Sequence, residues 1–294
     1  MKIRWPRFIF RLGFALLAAY LFLNLALAWS FSYPLTHPNC NPPTDIPSNR
    51  PQPEELEITT HDGHLLDAWY FPSGNGALVV TLPGHGGTLG LTNPDIGFLL
   101  EQGYGVLQIE SRACAEPAAP VTLGYHETSD AILGLDRLLA QGEIDLHTIA
   151  IFGHSMGGVT AIRAAAQDKR FAAVIADGGF YNLGEDFVNS ATSWWDAGLL
   201  YSVAATFWLQ TGVNPWQISP IDDLPHIHPR PVFLIYGEHE IESGYGYQQY
   251  EAALQPKTLW VVPDGYHGGN QTTATEEYEQ RILEFLSVSL GPSH

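Results

Sequence analysis

The sequence predicts an α/β fold with a mostly parallel central sheet flanked by helices, preceded by an apolar N-terminal helix. Three observations favour it. Short apolar runs alternate with helical stretches, a Gly-x-Ser-x-Gly turn joins one such run to a helix, and the N-terminus is long and uncharged. Hydrophobic residues make up 45% of the 294 residues, so a sizeable core is possible.

The first element, residues 1–31, is predicted to be a signal anchor or a signal peptide. Residues 12–31 carry no charge and are long enough to cross a bilayer as a helix. Basic residues precede this stretch and tryptophans bracket it, as is typical of membrane-spanning helices. The basic residues are Lys2, Arg4, Arg7 and Arg11, and the tryptophans are Trp5 and Trp29.

The position of the basic residues predicts the topology. They keep the N-terminal end in the cytoplasm, so everything after Phe31 is expected on the extracytoplasmic side. Cleavage at the Ala-x-Ala sequence that ends at Ala28 would instead give a secreted or periplasmic protein. A buried core helix is the third alternative, and the flanking basic and aromatic residues fit it poorly.

Residues 32–53 hold seven prolines and no periodic pattern, which predicts an extended linker. Cys40 lies in this linker and Cys114 in the domain that follows. In an oxidising compartment the two cysteines could form a disulfide, and otherwise they are free thiols.

Residues 54–294 have the alternating pattern of a parallel sheet covered by helices. The first two runs flank His-Asp-Gly-His and predict a hairpin, which adds antiparallel strands at one edge. The later runs are continuously apolar, as in strands buried on both faces. The predicted strands are 55–60, 65–71, 77–82, 105–110, 148–152, 172–176, 231–236 and 258–262, and the predicted helices are 94–102, 126–141, 156–167, 245–254 and 275–290.

Residues 180–224 interrupt this alternation. They contain no clear strand and are rich in Trp, Phe, Tyr and Leu. We expect a helical insertion over the C-terminal edge of the sheet that forms a lid or a substrate wall. The alternative is an ordinary pair of surface helices.

The strongest motif is Gly153-His-Ser-Met-Gly157, which lies between an apolar run and a helix of small residues. A sharp turn from strand to helix lifts the Ser155 side chain clear of the sheet, and the flanking glycines permit the crowded backbone. A serine hydroxyl needs a base to become a nucleophile. The motif therefore predicts Ser155 as a catalytic nucleophile.

The acid and the base are expected later in the chain, in the order serine, acid, histidine. His267 follows the last predicted strand and is the candidate base. The carboxylate that orients it should follow the preceding strand, where Glu238, Glu240 and Glu242 lie. We predict Glu240, with Glu238 as the alternative.

An oxyanion hole needs two backbone N–H donors. One is the residue after the nucleophile, Met156. The other is expected in the glycine-rich loop Leu82–Thr88, where Gly87 is the first candidate and Gly86 the second.

These motifs together resemble the α/β-hydrolases, and more narrowly the membrane-anchored serine hydrolases of the bud-emergence type. The resemblance covers the chain from about Glu55 to its end. Two departures stand out: Glu240 occupies a position where the family usually has Asp, and the loop 111–120 lacks the glycines usual in the family. The segments that carry the resemblance to this family are LPGHGG, GYHETSDAILGLDRL, IAIFGHSMGG, SPIDDL, PVFLIYGEHE and YHGG.

The predicted function is hydrolysis of carboxylic esters, with thioesters or lipid acyl groups as possible substrates, through an acyl-enzyme and without a metal or an organic cofactor. A net charge of −18 argues against a nucleic-acid partner. The alternatives are an inactive binding module, and a peptidase or acyltransferase of the same fold. A glycosylation sequon at Asn270 lies awkwardly close to His267.

Overall fold

A computed structural model describes residues 5–90, 96–142 and 148–291, and of residues 5–7 it describes the backbone alone. Its eight strands form one sheet in the order β1-β2-β4-β3-β5-β6-β7-β8. The hairpin β1–β2 and the pair β2–β4 are antiparallel, and the remaining neighbours are parallel. The strands are β1 Glu54–Thr59, β2 Leu65–Phe71, β3 Leu78–Leu82, β4 Gly105–Ile109, β5 Ile149–His154, β6 Phe171–Asp177, β7 Val232–Gly237 and β8 Lys257–Val262.

Helices cover both faces of the sheet, as the continuously apolar strands require. One face packs against α3 and α4, and the other against α2 and α10. The helices are α1 Trp5–Thr36, α2 Gly97–Glu101, α3 His126–Leu139, α4 Met156–Gln167, α5 Leu183–Asn189, α6 Trp194–Thr211, α7 Pro220–Asp223, α8 Gly246–Ala252, α9 Asn270–Thr273 and α10 Thr275–Leu290. Short 3-10 turns lie at Arg112–Cys114, Pro215–Gln217 and Leu224–Ile227.

The fold class predicted from the sequence is confirmed, and the predicted strands lie within two residues of the observed ones. The helix predicted over 94–102 begins at Gly97, and its first two predicted residues lie outside the described residues. Residues 180–224 are helical, as predicted, and contribute α5, α6 and α7.

The N-terminal helix is longer than the sequence predicts. It continues past Phe31 to Thr36, so residues 32–36 are helical rather than part of an extended linker. The reason is packing: Ser32 and Thr36 are buried and hydrogen-bond to α6. Four of the basic and aromatic residues on which the predicted topology depends are not tested by the structure. Lys2 and Arg4 lie outside the described residues, and so do the side chains of Trp5 and Arg7.

Residues 8–36 of α1 are apolar and long enough to cross a membrane, with a mean hydropathy of 2.0. This helix alone passes that test among the described residues. Most of its side chains are exposed and one stripe is covered. The helix α1 therefore lies on the outside of the domain, with most of its apolar side chains exposed, and is not a buried core helix.

Residues 37–44, which we call the strap, lead from α1 across the domain without regular structure. Cys40 in the strap forms a disulfide with Cys114, so the paired alternative is the one observed. The Asn41 amide donates to the Gly86 carbonyl at 2.7 Å, and the Thr44 N–H donates to the carbonyl of Leu89. The strap is thus attached to the glycine-rich loop after β3.

Candidate active site

Ser155 lies at the junction of β5 and α4, where the chain turns sharply. Its backbone has a φ of 54°, which a non-glycine residue rarely adopts. A Cβ on Gly153 would lie 1.9 Å from the Gly157 carbonyl oxygen, and one on Gly157 would lie 2.2 Å from that of Leu82. Both glycines of the motif are therefore required by the close approach of backbone to backbone.

Ser155 and His267 are in hydrogen-bond contact although 112 residues separate them. His267 lies in the loop that follows β8, and its Nε2 is 2.8 Å from the Ser155 Oγ. Its Nδ1 is 2.6 Å from Oε2 of Glu240, which follows β7. Because a carboxylate can only accept, Nδ1 carries the proton and Nε2 accepts from the serine hydroxyl.

Glu240 is held as an anion by three donors. Burial alone would raise its pKa, but hydrogen bonds from His267, from the Gly237 N–H at 2.8 Å and from the Asn270 amide at 2.9 Å outweigh burial and lower the pKa. The hydrogen bond to Glu240 in turn raises the pKa of His267, against burial that lowers it. The pair favours a protonated imidazole, which is the form a base takes after accepting a proton.

The two other glutamates after β7 do not contact His267. Glu238 accepts from the N–H of Asp264 at 3.0 Å and so supports the loop that carries the histidine. Glu242 is exposed. Of the three candidates, Glu240 is the one whose carboxylate contacts the imidazole.

A buried polar network beneath the site was missed by the sequence analysis. The Asn270 amide donates to Asp177 at 2.7 Å as well as to Glu240. The Tyr278 hydroxyl also donates to Asp177, at 2.7 Å, and the Ser155 N–H donates to the Asp177 carbonyl. The network joins the ends of β6 and β7 to the histidine loop. Asn270 is 1% exposed, so its amide is not accessible to a glycan.

The glycine-rich loop after β3 lies against the nucleophile. A Cβ on Gly84 would be 3.5 Å from that of Ser155. The N–H of Gly87, the predicted second oxyanion donor, instead donates to the Gly84 carbonyl at 2.9 Å. The loop is also attached to the N-terminal segment, because His85 Nε2 lies 2.8 Å from the carbonyl oxygen of Leu35.

A cavity of about 260 Å³ opens beside Ser155 and His267. The insertion 180–224 supplies part of its wall through Phe180 and Asp186. Burial raises the pKa of Asp186, and the nearby imidazole of His267 opposes that effect. A substrate bound here would have two acidic side chains in its surroundings, Asp186 and the Glu240 that is bonded to His267.

The helices of the insertion pack directly on the elbow. Phe207 of α6 is fully buried in a cluster with Met156 and Val159, the first residues of the helix that begins after the nucleophile. The insertion is therefore a wall of the site rather than a separate pair of surface helices.

Comparisons with known proteins agree with this architecture. The profile of the prolyl oligopeptidase family matches residues 98–293. The uncharacterized protein YfhR of Escherichia coli K12 is 22% identical over 253 residues, which are 82% of this chain and 83% of that protein. The uncharacterized protein Rv2307c of Mycobacterium tuberculosis is 29% identical over 265 residues, 85% of each chain.

Solved structures with the same fold also match this chain. The Pyrococcus furiosus esterase Pf2001 is 26% identical with a TM-score of 0.64, covering 87% of this chain and 100% of its own. A Pyrococcus horikoshii acylaminoacyl peptidase, at 18% identity and a TM-score of 0.64, covers 84% of this chain and 43% of its own and shares the fold. The narrower resemblance to bud-emergence hydrolases is not tested by these matches. The profile match and the sheet topology show that the chain belongs to the prolyl oligopeptidase family, as a serine hydrolase of the α/β-hydrolase fold.

Proposed function

We propose that the protein hydrolyses carboxylic esters, including lipid acyl esters, with Ser155, His267 and Glu240 as a catalytic triad. The observation that carries this proposal is the continuous chain of hydrogen bonds from the serine hydroxyl to the buried carboxylate, 2.8 Å and 2.6 Å long. Such a chain lets the imidazole withdraw the hydroxyl proton as the oxygen attacks an acyl carbon.

The reaction has two halves. In the first, Ser155 Oγ attacks the carbonyl while His267 Nε2 takes its proton and then gives it to the departing alcohol, which leaves an acyl-enzyme. In the second, His267 takes a proton from water, the resulting hydroxide attacks the acyl group, and the proton returns to Ser155 as the acid is released. Glu240 remains ionised and stabilises the imidazolium in both halves.

The developing oxyanion would accept from the Met156 N–H at the first turn of α4, where the helix dipole also favours negative charge. The second donor would come from the loop 84–87. For Gly87 to serve, its N–H must exchange the Gly84 carbonyl for the substrate oxygen. Substrate binding would then be coupled to a change in this turn.

We also propose that α1 is a retained signal anchor that leaves the catalytic domain on the extracytoplasmic side. Ala28, the residue that ends the candidate cleavage sequence, is fully buried where α1 packs along α6. A signal peptidase needs an accessible, extended segment, so this packing favours retention. The acyl substrate would be met at or near the membrane.

A second candidate function is hydrolysis of amides that carry a free amine, and Asp186 favours it. This carboxylate lines the cavity beside Ser155 and could accept from a substrate ammonium. The family includes peptidases by its name. The third alternative, a binding module without catalysis, has no such observation in its favour.

A fluorophosphonate probe tests the nucleophile in the full-length protein. We expect labelling that disappears in Ser155→Ala and persists in Ser243→Ala, a matched control because Ser243 lines the same cavity. A folded wild-type protein that does not react with the probe would favour the binding module.

A substrate panel then separates esterase from amidase. We expect p-nitrophenyl esters to be hydrolysed faster than aminoacyl p-nitroanilides, and Asp186→Asn to leave the esters unaffected. Preference for anilides with a free amine, lost in Asp186→Asn, would support the second candidate instead.

A further inference from the structure

The outward face of α6 is apolar and exposed. Tyr201 is 56% exposed, Trp208 57% and Leu209 73%. Trp194 and Trp195 at its first turn are 69% and 53% exposed. Asp196 is the single charged residue in this 18-residue helix. An aromatic patch of this kind marks a surface that contacts something other than water.

This face continues into the exposed apolar surface of α1. The two helices run in parallel, because Ser32 contacts Thr206 and the side chain of Thr36 contacts Gln210 at the same sequence separation of 174. Near the other end of the contact, the rings of Tyr20 and Trp195 are 5.6 Å apart.

The contact itself has the chemistry of helix pairs in membranes. The covered stripe of α1 recurs every four residues and is small or polar, comprising Asn24, Ala28, Ser32 and Thr36. Across it, the Ser32 hydroxyl donates a hydrogen bond to the Thr206 hydroxyl oxygen at 2.9 Å. Membrane helices associate through small residues and interhelical hydrogen bonds, since lipid removes the hydrophobic drive between them.

We propose that the outward face of α6 lies in the outer leaflet at the boundary between headgroups and acyl chains, beside α1. The occupant of the face is the lipid bilayer, because the face is continuous with the apolar surface of α1 and carries the Trp and Tyr residues that are enriched at that boundary.

The length of α1 is consistent with this placement. Its apolar segment has 29 residues, whereas about 20 suffice to cross the hydrocarbon core. The remaining residues, about nine, place the outer end of α1 and the part of α6 that packs on it in the interfacial region of the outer leaflet.

This inference rests on the proposed membrane span and deepens the proposed function. The opposite side of α6 buries Phe207 against Met156, next to the nucleophile. An α6 seated in the bilayer therefore places the cavity close to the membrane surface. The favoured substrate class is then an acyl ester that partitions into membranes.

Spin-label accessibility on the full-length protein in phosphatidylethanolamine–phosphatidylglycerol vesicles tests the docking. Labels would be placed at Ala205→Cys and Leu209→Cys on the exposed face of α6, with Val288→Cys on α10 as the control, since Val288 is also apolar and 84% exposed. We expect the α6 labels to favour oxygen over a water-soluble nickel relaxant, and the control to show the reverse. Equal nickel access at all three sites would overturn the proposal, as would dipolar broadening between α6 labels, which would assign the face to a second copy.

A kinetic arm uses the variant Tyr201→Ser/Trp208→Ser/Leu209→Ser. We expect hydrolysis of a vesicle-embedded long-chain ester to fall by at least about tenfold, because apolar burial of several side chains is lost. Hydrolysis of soluble p-nitrophenyl acetate should be unchanged. An equal loss on both substrates would contradict the docking role. A wild type that hydrolyses neither ester would refute the proposed function and leave the accessibility result to decide the docking.

Discussion

Asn270 is expected to stabilise both the fold and the site, because one side-chain amide bridges two carboxylates. It donates to Asp177 and to Glu240 from a position that is 1% exposed. A hydrogen bond to a charged group contributes about 1.5–3 kcal/mol. Both carboxylates keep other donors in Asn270→Ala: the Tyr278 hydroxyl, the Gly237 N–H and the imidazole. We therefore place the loss near the lower end, at about 3 kcal/mol for the two bonds together.

That loss is measurable by thermal unfolding. For a domain of this size it corresponds to a decrease in Tm of roughly 6–12 °C. The same variant should reduce kcat/KM on a soluble ester by about tenfold or more, because Glu240 would hold the imidazole less firmly.

The matched control removes a different amide from the same region of the chain. Gln280 is exposed and bonds Glu284 on the surface of α10, so Gln280→Ala should change stability by less than about 0.5 kcal/mol. If Asn270→Ala unfolded within 1 kcal/mol of the wild type and retained its activity, the bridging role argued from these distances would be wrong.

Three further predictions concern the site. In a pH–rate profile the acid limb should lie above the ordinary histidine pKa of about 6.5, because activity needs a neutral His267 and the pKa of His267 is raised. The variant Glu240→Gln removes the main cause of that raised pKa. In this variant the acid limb should move to lower pH, and kcat should fall by about two to four orders of magnitude. Gly157→Ala should abolish probe labelling and lower the Tm, since its Cβ would overlap the last carbonyl of β3; normal labelling would contradict that overlap. Reduction of the Cys40–Cys114 disulfide, which closes a 74-residue loop, should lower the free energy of unfolding by about 4 kcal/mol in denaturant titrations, and an unchanged midpoint would refute this.

The sequence was sufficient for the features that depend on local pattern and chain order. Apolar runs located the strands, and the order of serine, acid and histidine selected Ser155, Glu240 and His267, which the structure brings into hydrogen-bond contact. The choice between Glu240 and Glu238 depends on the fold, because two residues on one turn point in different directions and only one of them faces the imidazole.

The rest depended on contacts between distant segments. The polar network around Asp177 joins residues 93 and 101 positions apart, and no local signal marks them as partners. The extension of α1 to Thr36 depends on packing against α6. In the turn after β3 the Gly87 N–H donates to the Gly84 carbonyl. A Gly-Gly sequence permits this turn, but it permits other backbone conformations as well.

The strap has a consequence for any form of the protein that is shed from the membrane. His85 is bonded to Leu35 in the last turn of α1, and Asn41 is bonded to Gly86, so the glycine-rich loop beside the nucleophile is attached to the end of α1 and to the strap. A protease cutting just after Leu35 would release the domain without the contact between Leu35 and His85, while the disulfide would still hold the strap. If α1 is the anchor proposed above, release from the membrane would also remove a support of the oxyanion loop, and catalysis would be confined to the membrane surface.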